Sequence, residues 1–536
     1  MRRIFTTGII IAVALLIGLY FLDMSSFWTF LFILGPIILF ATFDMLFGGS
    51  TIIRNFPIFG RLRYVMEELR PKIRQYFVES DTDGTPINRV DRQTVYQRAE
   101  GKLDTIPFGT QDVVYSEGYE WLNHSINPND FNNLDHHPRV KIGGEQCEKP
   151  YEASILNISA MSFGSLSSNA TAALNGGAKI SNFAQNTGEG GIAPYHTQFG
   201  GDLIYQVGTG YFGARTKDGN FDPIMFQKQM ERPSVKMAEL KLSQGAKPGH
   251  GGILPGKKNT EEIAKIRGIE PGTDVLSPPY HKAFDTPRGL LNMIDLMRKH
   301  ADGKPIGFKL CVGQHSEFMA ICKAMVETGI MPDFIAVDGG EGGTGAAPPE
   351  FSDSVGTPFR EGLSFVDDML RGFGLRDKIK IFAAGKIVTG FHMFRAFALG
   401  ADVCYSARAM MLAIGCIQAL ECNVNTCPTG VATQKAELVN GLRVDEKKKS
   451  VANYHRETVE AFVELLAAAG LEKPSEINRT HVYRRVFMNL TKRYDEIYPP
   501  IAKNCLLQEN TVPESYRGDW LRATPESFKP KELAVV

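Results

Sequence analysis

Two patterns of apolar and polar residues divide the chain. The first is continuous. Residues 4–22 hold no charge, a polar turn Asp23-Met24-Ser25-Ser26 follows, and residues 27–47 hold only Asp44. Each run has the ~20 residues that carry a helix across a bilayer, so residues 1–50 are predicted to form a two-helix transmembrane hairpin. A cleaved signal peptide would leave a small-residue processing site after the first run; none is there, and a second apolar run comes at once. A buried hairpin of a soluble domain is the remaining alternative. Arg2 and Arg3 precede the first run and Arg54, Arg61, Arg63 and Arg70 follow the second, whereas the turn carries no Lys or Arg. That bias predicts a two-pass protein of the cell inner membrane, with both ends and the large soluble part cytoplasmic. Tyr20 and Trp28 flank the turn, where amphipathic rings favour the interface. Asp44 sits near the inner end of its helix and is expected to reach the lipid headgroups.

The second pattern is interrupted. From about residue 154, short runs rich in β-branched residues end in glycine-rich loops, each followed by a helical stretch. Residues 306–312, 334–337, 379–382 and 402–405 read as strands; 315–328, 364–371 and 390–398 read as helices. Strand, loop and helix in repetition describe a parallel sheet with helical crossovers. Residues 151–435 have the length of one (β/α)₈ TIM barrel, and their glycines gather just after the strands, where such barrels place their chemistry. Residues 51–150 are expected to be an N-terminal extension packing on the barrel, with 81–86 a surface loop. Residues 436–536 are expected to be a C-terminal helical extension with an amphipathic helix at 459–469. Lys447-Lys448-Lys449 reads as a solvated basic run with some affinity for anionic headgroups of membrane lipid.

Composition narrows the function classes. Hydrophobic residues make up 43% and charged residues 22%, an ordinary globular balance. Lys+Arg and Asp+Glu both number 59, so no basic groove for nucleic acid is signalled. The eight cysteines are dispersed except for one group of three, which suits reduced thiols and one candidate metal site rather than a disulfide framework. His136-His137 point in divergent directions with no third ligand near, and read as a surface loop.

Three segments carry candidate chemistry. Ala383-Ala384-Gly385-Lys386 closes one strand and Ser406-Ala407-Arg408 closes the next, which is where phosphate-binding barrels hold their anion. Gly340-Glu341-Gly342-Gly343-Thr344-Gly345 matches a dinucleotide fingerprint formally, but Ala346-Ala347-Pro348-Pro349 follows and cannot open the required helix. A loop at the barrel mouth is expected instead. Cys416, Cys422 and Cys427 form C-x₅-C-x₄-C, soft donors suited to iron–sulfur or zinc, although one short of the usual four. By spacing alone, three buried thiols fit as well.

Six motifs in series resemble the synthase domain of glutamate synthase. They are Ile158-Ser159-Ala160-Met161-Ser162-Phe163-Gly164, Asn186-Thr187-Gly188-Glu189-Gly190-Gly191, Gln244-Gly245-Ala246-Lys247-Pro248-Gly249, Leu276-Ser277-Pro278-Pro279, Gly342-Gly343-Thr344-Gly345-Ala346 and Asn425-Thr426-Cys427-Pro428-Thr429-Gly430-Val431-Ala432-Thr433-Gln434. The resemblance implies a barrel with FMN beside a 3Fe–4S cluster on Cys416, Cys422 and Cys427. It implies hydride transfer from reduced FMN to 2-iminoglutarate, the imine of 2-oxoglutarate and ammonia. Ala160, Met161, Ser162, Lys309 and Gly385 would then line the flavin, with Gln244, Gly343, Lys386, Ala407 and Arg408 completing the cofactor site. Glu189, Lys247 and Arg267 would face the substrate. The residue types suit that chemistry. A 2-oxo diacid needs cations for its carboxylates, a carboxylate can relay a proton at the imine, and Lys309 can stabilise charge on a reduced flavin.

The sequence also departs from the family. After Lys247-Pro248-Gly249 the family usually has an acid, two glycines and Gln; here His250 and Ile253 stand, which removes a polar contact to substrate and can change its preference. No glutaminase domain is expected before the barrel and no nicotinamide-binding domain, so electrons are expected from a separate donor protein or a quinone. The partners are thus a 2-oxo acid with ammonia or an amine, an electron donor and membrane lipid, and a homo-oligomer is compatible. Two other chemistries use the same parts. One is a membrane-linked dehydrogenase of a hydroxy or amino acid that passes electrons to quinone, with His250 or His281 as base. The other is a flavin/iron–sulfur relay.

Overall fold

The computed structural model describes residues 2–102 and 105–532; Met1 of the basic leader lies outside them. The chain divides into two compact units, Met1–Arg89 and Val90–Val536. In the first, α1 (Arg2–Leu22) and α2 (Met24–Phe47) are long and apolar enough to cross a membrane. Asp23 separates them and caps α2, its carboxylate accepting the Ser25 N–H. Asp44 does not reach outward to headgroups as expected. It is fully buried, paired with Arg61 at 2.6 Å, and accepts the Ile58 N–H at 2.9 Å. A buried carboxylate needs such partners, and the chain just after the hairpin supplies them.

The second unit is built on a closed barrel of eight parallel strands: β1 (Leu156–Ile158), β2 (Ala184–Asn186), β3 (Asp202–Val207), β4 (Val235–Lys241), β5 (Ile306–Cys311), β6 (Phe334–Asp338), β7 (Lys380–Ala384) and β8 (Val403–Ser406). The barrel closes where β8 pairs with β1, Tyr405 lying opposite Asn157. This is the (β/α)₈ fold expected. The helices His315–Thr328 and Gly390–Ala398 have the predicted limits, and the predicted 364–371 is the core of Phe359–Gly372.

Side chains alternate across each strand, so every second residue enters the barrel. The lower interior is apolar: Ala184, Ile204, Met237, Phe334, Phe382 and Val403 form one buried cluster. Ile142 and Ala153 join it from the antiparallel hairpin Arg139–Ile142/Tyr151–Ser154, which immediately precedes β1 and closes the N-terminal end. Two residues further along β2, β3 and β4 the interior turns polar, at Asn186, Gln206 and Glu239, whereas β6 and β7 continue with Ala336 and Ala384.

Outside the barrel, α5 (Ser168–Ile180) packs on α6 (Val444–Ala468). α6 begins well before the expected 459, so the lysine run lies within its first turns. Lys448 covers the Phe199 ring at 4.6 Å and pairs with Asp445. The region after α6 is not helical throughout. Val482–Phe487 and Leu490–Arg493 form a hairpin that pairs with Glu120–Leu122. Glu120, nearly fully buried, accepts from Arg360, Arg395 and Tyr494, which ties that sheet to the barrel's outer helices.

Candidate active site

The C-terminal ends of the strands gather nearly every residue singled out in the sequence. Ala160-Met161-Ser162 follows β1, Glu189 follows β2, Gln244 and Lys247 follow β4, Gly343 lies beyond β6, Gly385-Lys386 closes β7 and Ala407-Arg408 follows β8. Lys309 stands within β5. Arg267 ends the helix Glu261–Arg267, part of the long excursion between β4 and β5, and reaches back to the β1 loop.

Beneath these loops lies a buried polar layer that the motifs did not reveal. Glu239 in β4 is fully buried opposite Gln206. Its Oε1 accepts from Asn186 at 2.9 Å and Gln206 at 2.6 Å, and the Tyr405 hydroxyl lies beside the same carboxylate. Burial pushes the Glu239 carboxyl upward. Lys309 Nζ is 3.2 Å from Asp338 Oδ2, both nearly inaccessible. Burial alone would discharge this ammonium, but Asp338 and Glu239 together outweigh it and hold Lys309 charged.

Above that layer three cations surround Glu189. Lys241 Nζ pairs with Glu189 Oε1 at 2.9 Å and donates to Gln244 Oε1 at 2.7 Å. Burial would raise the Glu189 carboxyl, yet Lys241, then Arg267 and Lys247, hold it below its ordinary value. Lys247 donates to the Ala346 carbonyl at 2.6 Å, joining the β4 and β6 loops; burial and the nearby Lys241 bring its ammonium down to about 8. Arg267 donates to the Phe163 carbonyl at 3.1 Å and stacks on Phe212 at 5.2 Å, while its Nε stays unpartnered among the described residues. Lys241 was not singled out from the sequence. The signal was present: Glu239 and Lys241 are charges on the same face of the strand as the apolar Val235 and Met237.

The loop after β6 is no dinucleotide turn; the next helix, Pro349–Ser354, starts beyond the glycines. Glu341 caps the Phe359 N–H at 2.9 Å, and Arg408 donates to the Glu341 carbonyl at 2.8 Å. Gly245 lies so close to the Gly339 carbonyl that no side chain fits between them. Burial lowers Lys386 and Arg408 from their ordinary values.

Of the two histidines proposed as a base, His281 has both ring nitrogens engaged. His281 Nε2 meets the Lys241 carbonyl at 2.8 Å; a carbonyl only accepts, so Nε2 carries the hydrogen and Nδ1 accepts from the Tyr211 hydroxyl at 3.1 Å. Burial brings His281 down to about 4. His250 lies against Phe351 with Nδ1 at the Gly251 carbonyl, 2.9 Å away. Ile253 sits in a small ribbon opposite Leu276, next to Gly252, where an added Cβ would be 2.5 Å from Glu189 Oε1.

Cys416, Cys422 and Cys427 lie in one loop, with Gln418, Leu420 and Asn425 in left-handed conformations. Burial raises the Cys416 thiol to about 11, with Cys422 and Cys427 contributing further. Lys258 donates to the carbonyls of Ser165, Cys422 and Ala432 and adds positive charge beside Cys422. Among the described residues no three His, Cys, Asp or Glu side chains stand in the geometry that holds a metal ion.

Comparison with known proteins agrees with this geometry. The model of the conserved region in glutamate synthase matches residues 113–472. The glutamate synthase large subunit-like protein YerD of Bacillus subtilis is 37% identical over 500 residues, 85% of this chain and 95% of that protein. The archaeal glutamate synthase (NADPH) of Methanocaldococcus jannaschii is 35% identical over 315 residues, and the match covers 59% of this chain and 58% of that protein. The glutamate synthase (NADPH) large chain of Bacillus subtilis is 34% identical over 333 residues, 60% of this chain and 20% of that one. Among solved structures, the flavin-binding domain of baker's yeast flavocytochrome b2 superposes with a TM-score of 0.41 at 13% identity, covering 73% of this chain and 78% of that one. With the family match spanning the whole barrel and its charged mouth, the chain belongs to the glutamate synthase family.

Proposed function

We propose that the chain is an FMN-dependent oxidoreductase that reduces an imine formed from a 2-oxo acid, 2-oxoglutarate or a close analogue, and ammonia or an amine. One observation carries this reading: Lys241, Lys247 and Arg267 converge on Glu189 at the mouth of the same barrel that buries a charged Lys309.

The residues present fit FMN. The β6 loop, Lys386 and Arg408 offer backbone and cations for a phosphate; Ala160, Met161, Ser162, Gln244, Gly343, Gly385 and Ala407 would line the rest. The Arg267 Nε, without a partner among the described residues, leaves polar capacity unused at that mouth. When bound, FMN supplies the hydride. Lys309, kept charged, would face the negative charge that accumulates on reduction. Lys247 and Arg267 would hold the substrate carboxylates; Arg267 keeps an unpartnered Nε for this. Glu189, held ionised, favours a cationic iminium over a neutral imine and can pass a proton at its nitrogen. Ile253, which follows the Gly252 that lies against that carboxylate, stands where the resemblance expects Gln, which would bias the enzyme towards a substrate less polar than 2-oxoglutarate at that point.

We assign the 3Fe–4S cluster to Cys416, Cys422 and Cys427. The donors are soft, Cys416 and Cys422 both feel the charge of neighbouring thiols, and Lys258 adds positive charge beside Cys422. Such a cluster would relay single electrons from a separate donor protein or quinone. The enzyme would sit on the inner face of the cell membrane, anchored by α1 and α2.

The test is anaerobic. Full-length protein in detergent, reduced with dithionite, is mixed with 2-oxoglutarate and ammonium, then with other 2-oxo acids and amines. Reoxidation of the flavin with formation of the amino acid is expected; a flavin that stays reduced with every pair removes the imine reading. In the dehydrogenase alternative His250 rather than His281 would have to serve as base, since both nitrogens of His281 are engaged; electron transfer to a quinone analogue from a hydroxy or amino acid would support it.

A further inference from the structure

We propose that α4 (Phe59–Ile73), a short step beyond the hairpin, lies in the plane of an anionic membrane surface and binds its headgroups; this rests on α1 and α2 spanning the bilayer. The residues of α4 separate by chemistry around the helix. At ~100° per residue, Phe59, Leu62, Val65, Met66, Leu69 and Ile73 share an arc of about 120°. These side chains are largely uncovered, from 67% exposed at Phe59, whose ring also meets that of Phe5 at 6.0 Å, to 38% at Ile73. A soluble surface does not carry so long an apolar stripe without something to cover it.

The flanks of that stripe say what covers it. Arg61 and Lys72 border it on one side, Arg63 and Arg70 on the other, while Glu67 and Glu68 fall on the far face. Residues 51–79 hold six basic against three acidic residues. Arg70 and Lys72 make no ion pair among the described residues, and Arg63 pairs only with the exposed Glu67. Apolar residues framed by cations are what an interfacial helix presents to acyl chains and phosphate groups. A protein partner would not require the two cationic borders.

The entry of α4 is also fixed relative to the end of α2. Between them stands only the short helix α3 (Thr51–Asn55), capped by Ser50. Asp44 of α2 holds both the Ile58 N–H and the Arg61 guanidinium, three residues apart. Gly60 brings the start of α4 against α3, where an added Cβ would be 2.9 Å from the Ile52 carbonyl and the Ile53 Cα. The stripe therefore begins at the inner end of the second span, which is headgroup depth if that span crosses. α4 continues the anchor along the surface and couples attachment to lipid charge.

The experiment uses the full-length protein in nanodiscs of phosphatidylcholine, with and without phosphatidylglycerol, followed by hydrogen exchange of the peptides covering 59–73. Exchange is expected to slow about tenfold when phosphatidylglycerol is present. L62E/M66E/L69E should abolish that slowing, and the milder R70Q/K72Q should remove its dependence on phosphatidylglycerol. Both variants should still resist carbonate extraction from membranes, because the spans are untouched. Exchange in 59–73 that is equally fast in both nanodiscs, from a carbonate-resistant protein, overturns the proposal while leaving the spans standing. Release of the wild-type protein by carbonate removes the spanning reading itself. Slowing that requires a dimer by native mass spectrometry, irrespective of lipid, means that a second copy covers the stripe and also overturns it.

Discussion

In β4, Met237, Glu239 and Lys241 share one inward face, yet they live in opposite surroundings. Met237 belongs to the sealed apolar layer with Ile204, Phe334 and Phe382. Glu239 and Lys241, one and two pleats further, belong to the layer with Lys309, Asp338 and Glu189. The lower layer contributes stability by removing apolar surface from water. The upper layer does the reverse: buried charges cost desolvation, and most are compensated by a partner of opposite sign. The Arg267 Nε, without a hydrogen-bond partner among the described residues, lies at the barrel mouth, where a ligand would satisfy it. The barrel thus separates what holds it closed from what reacts, by a distance of one pleat.

Substitutions on either side of that divide should fail in different ways. Glu189→Gln should lower the rate of flavin reoxidation by 2-oxo acid and ammonium by about 10²–10⁴-fold, with flavin content unchanged. Phe334→Ala in the lower layer should cost about 3–5 kcal/mol of stability, read by thermal unfolding, while the surviving folded protein keeps its turnover. Equal loss of stability from both would erase the distinction.

Lys247→Met should act mainly on KM, raising it about tenfold for the loss of one charge-assisted contact. Only the ammonium form binds a carboxylate, and its value is brought down to about 8. The wild-type KM for the 2-oxo acid should therefore rise as pH passes about 8, and the Met variant should lack this limb. Glu239→Gln should have the smallest effect, within about 1 kcal/mol of wild-type stability. A carboxyl raised by burial binds more protons folded than unfolded, so its contribution to stability falls as pH climbs above the unfolded value of about 4.3. The Gln variant should not show that decline; denaturation midpoints across pH measure it.

The contrast between layers also explains what could be read in advance. The strands β5 to β8 and the helices His315–Thr328 and Gly390–Ala398 were legible because their pattern is local: β-branched runs, closing glycines, a Thr389 cap. Glu189, Lys247 and Arg267 were legible through motifs, and they do converge. Lys241 and Glu239 were not, because a charge inside a strand becomes meaningful only once neighbouring strands supply Asn186, Gln206 and Lys309. The Glu120 hub escaped for the same reason, its partners being hundreds of residues away. Asp44 looked like a headgroup contact until Ile58 and Arg61 folded back on it.

The visible spectrum of the full-length protein purified in detergent tests the central claim most directly. A yellow protein yielding about one FMN and about three iron atoms per chain is expected, with the iron lost and the flavin kept in Cys422→Ser. A colourless protein that takes up no FMN when it is supplied, or iron unchanged in Cys422→Ser, would contradict the assignment of redox chemistry to the barrel mouth.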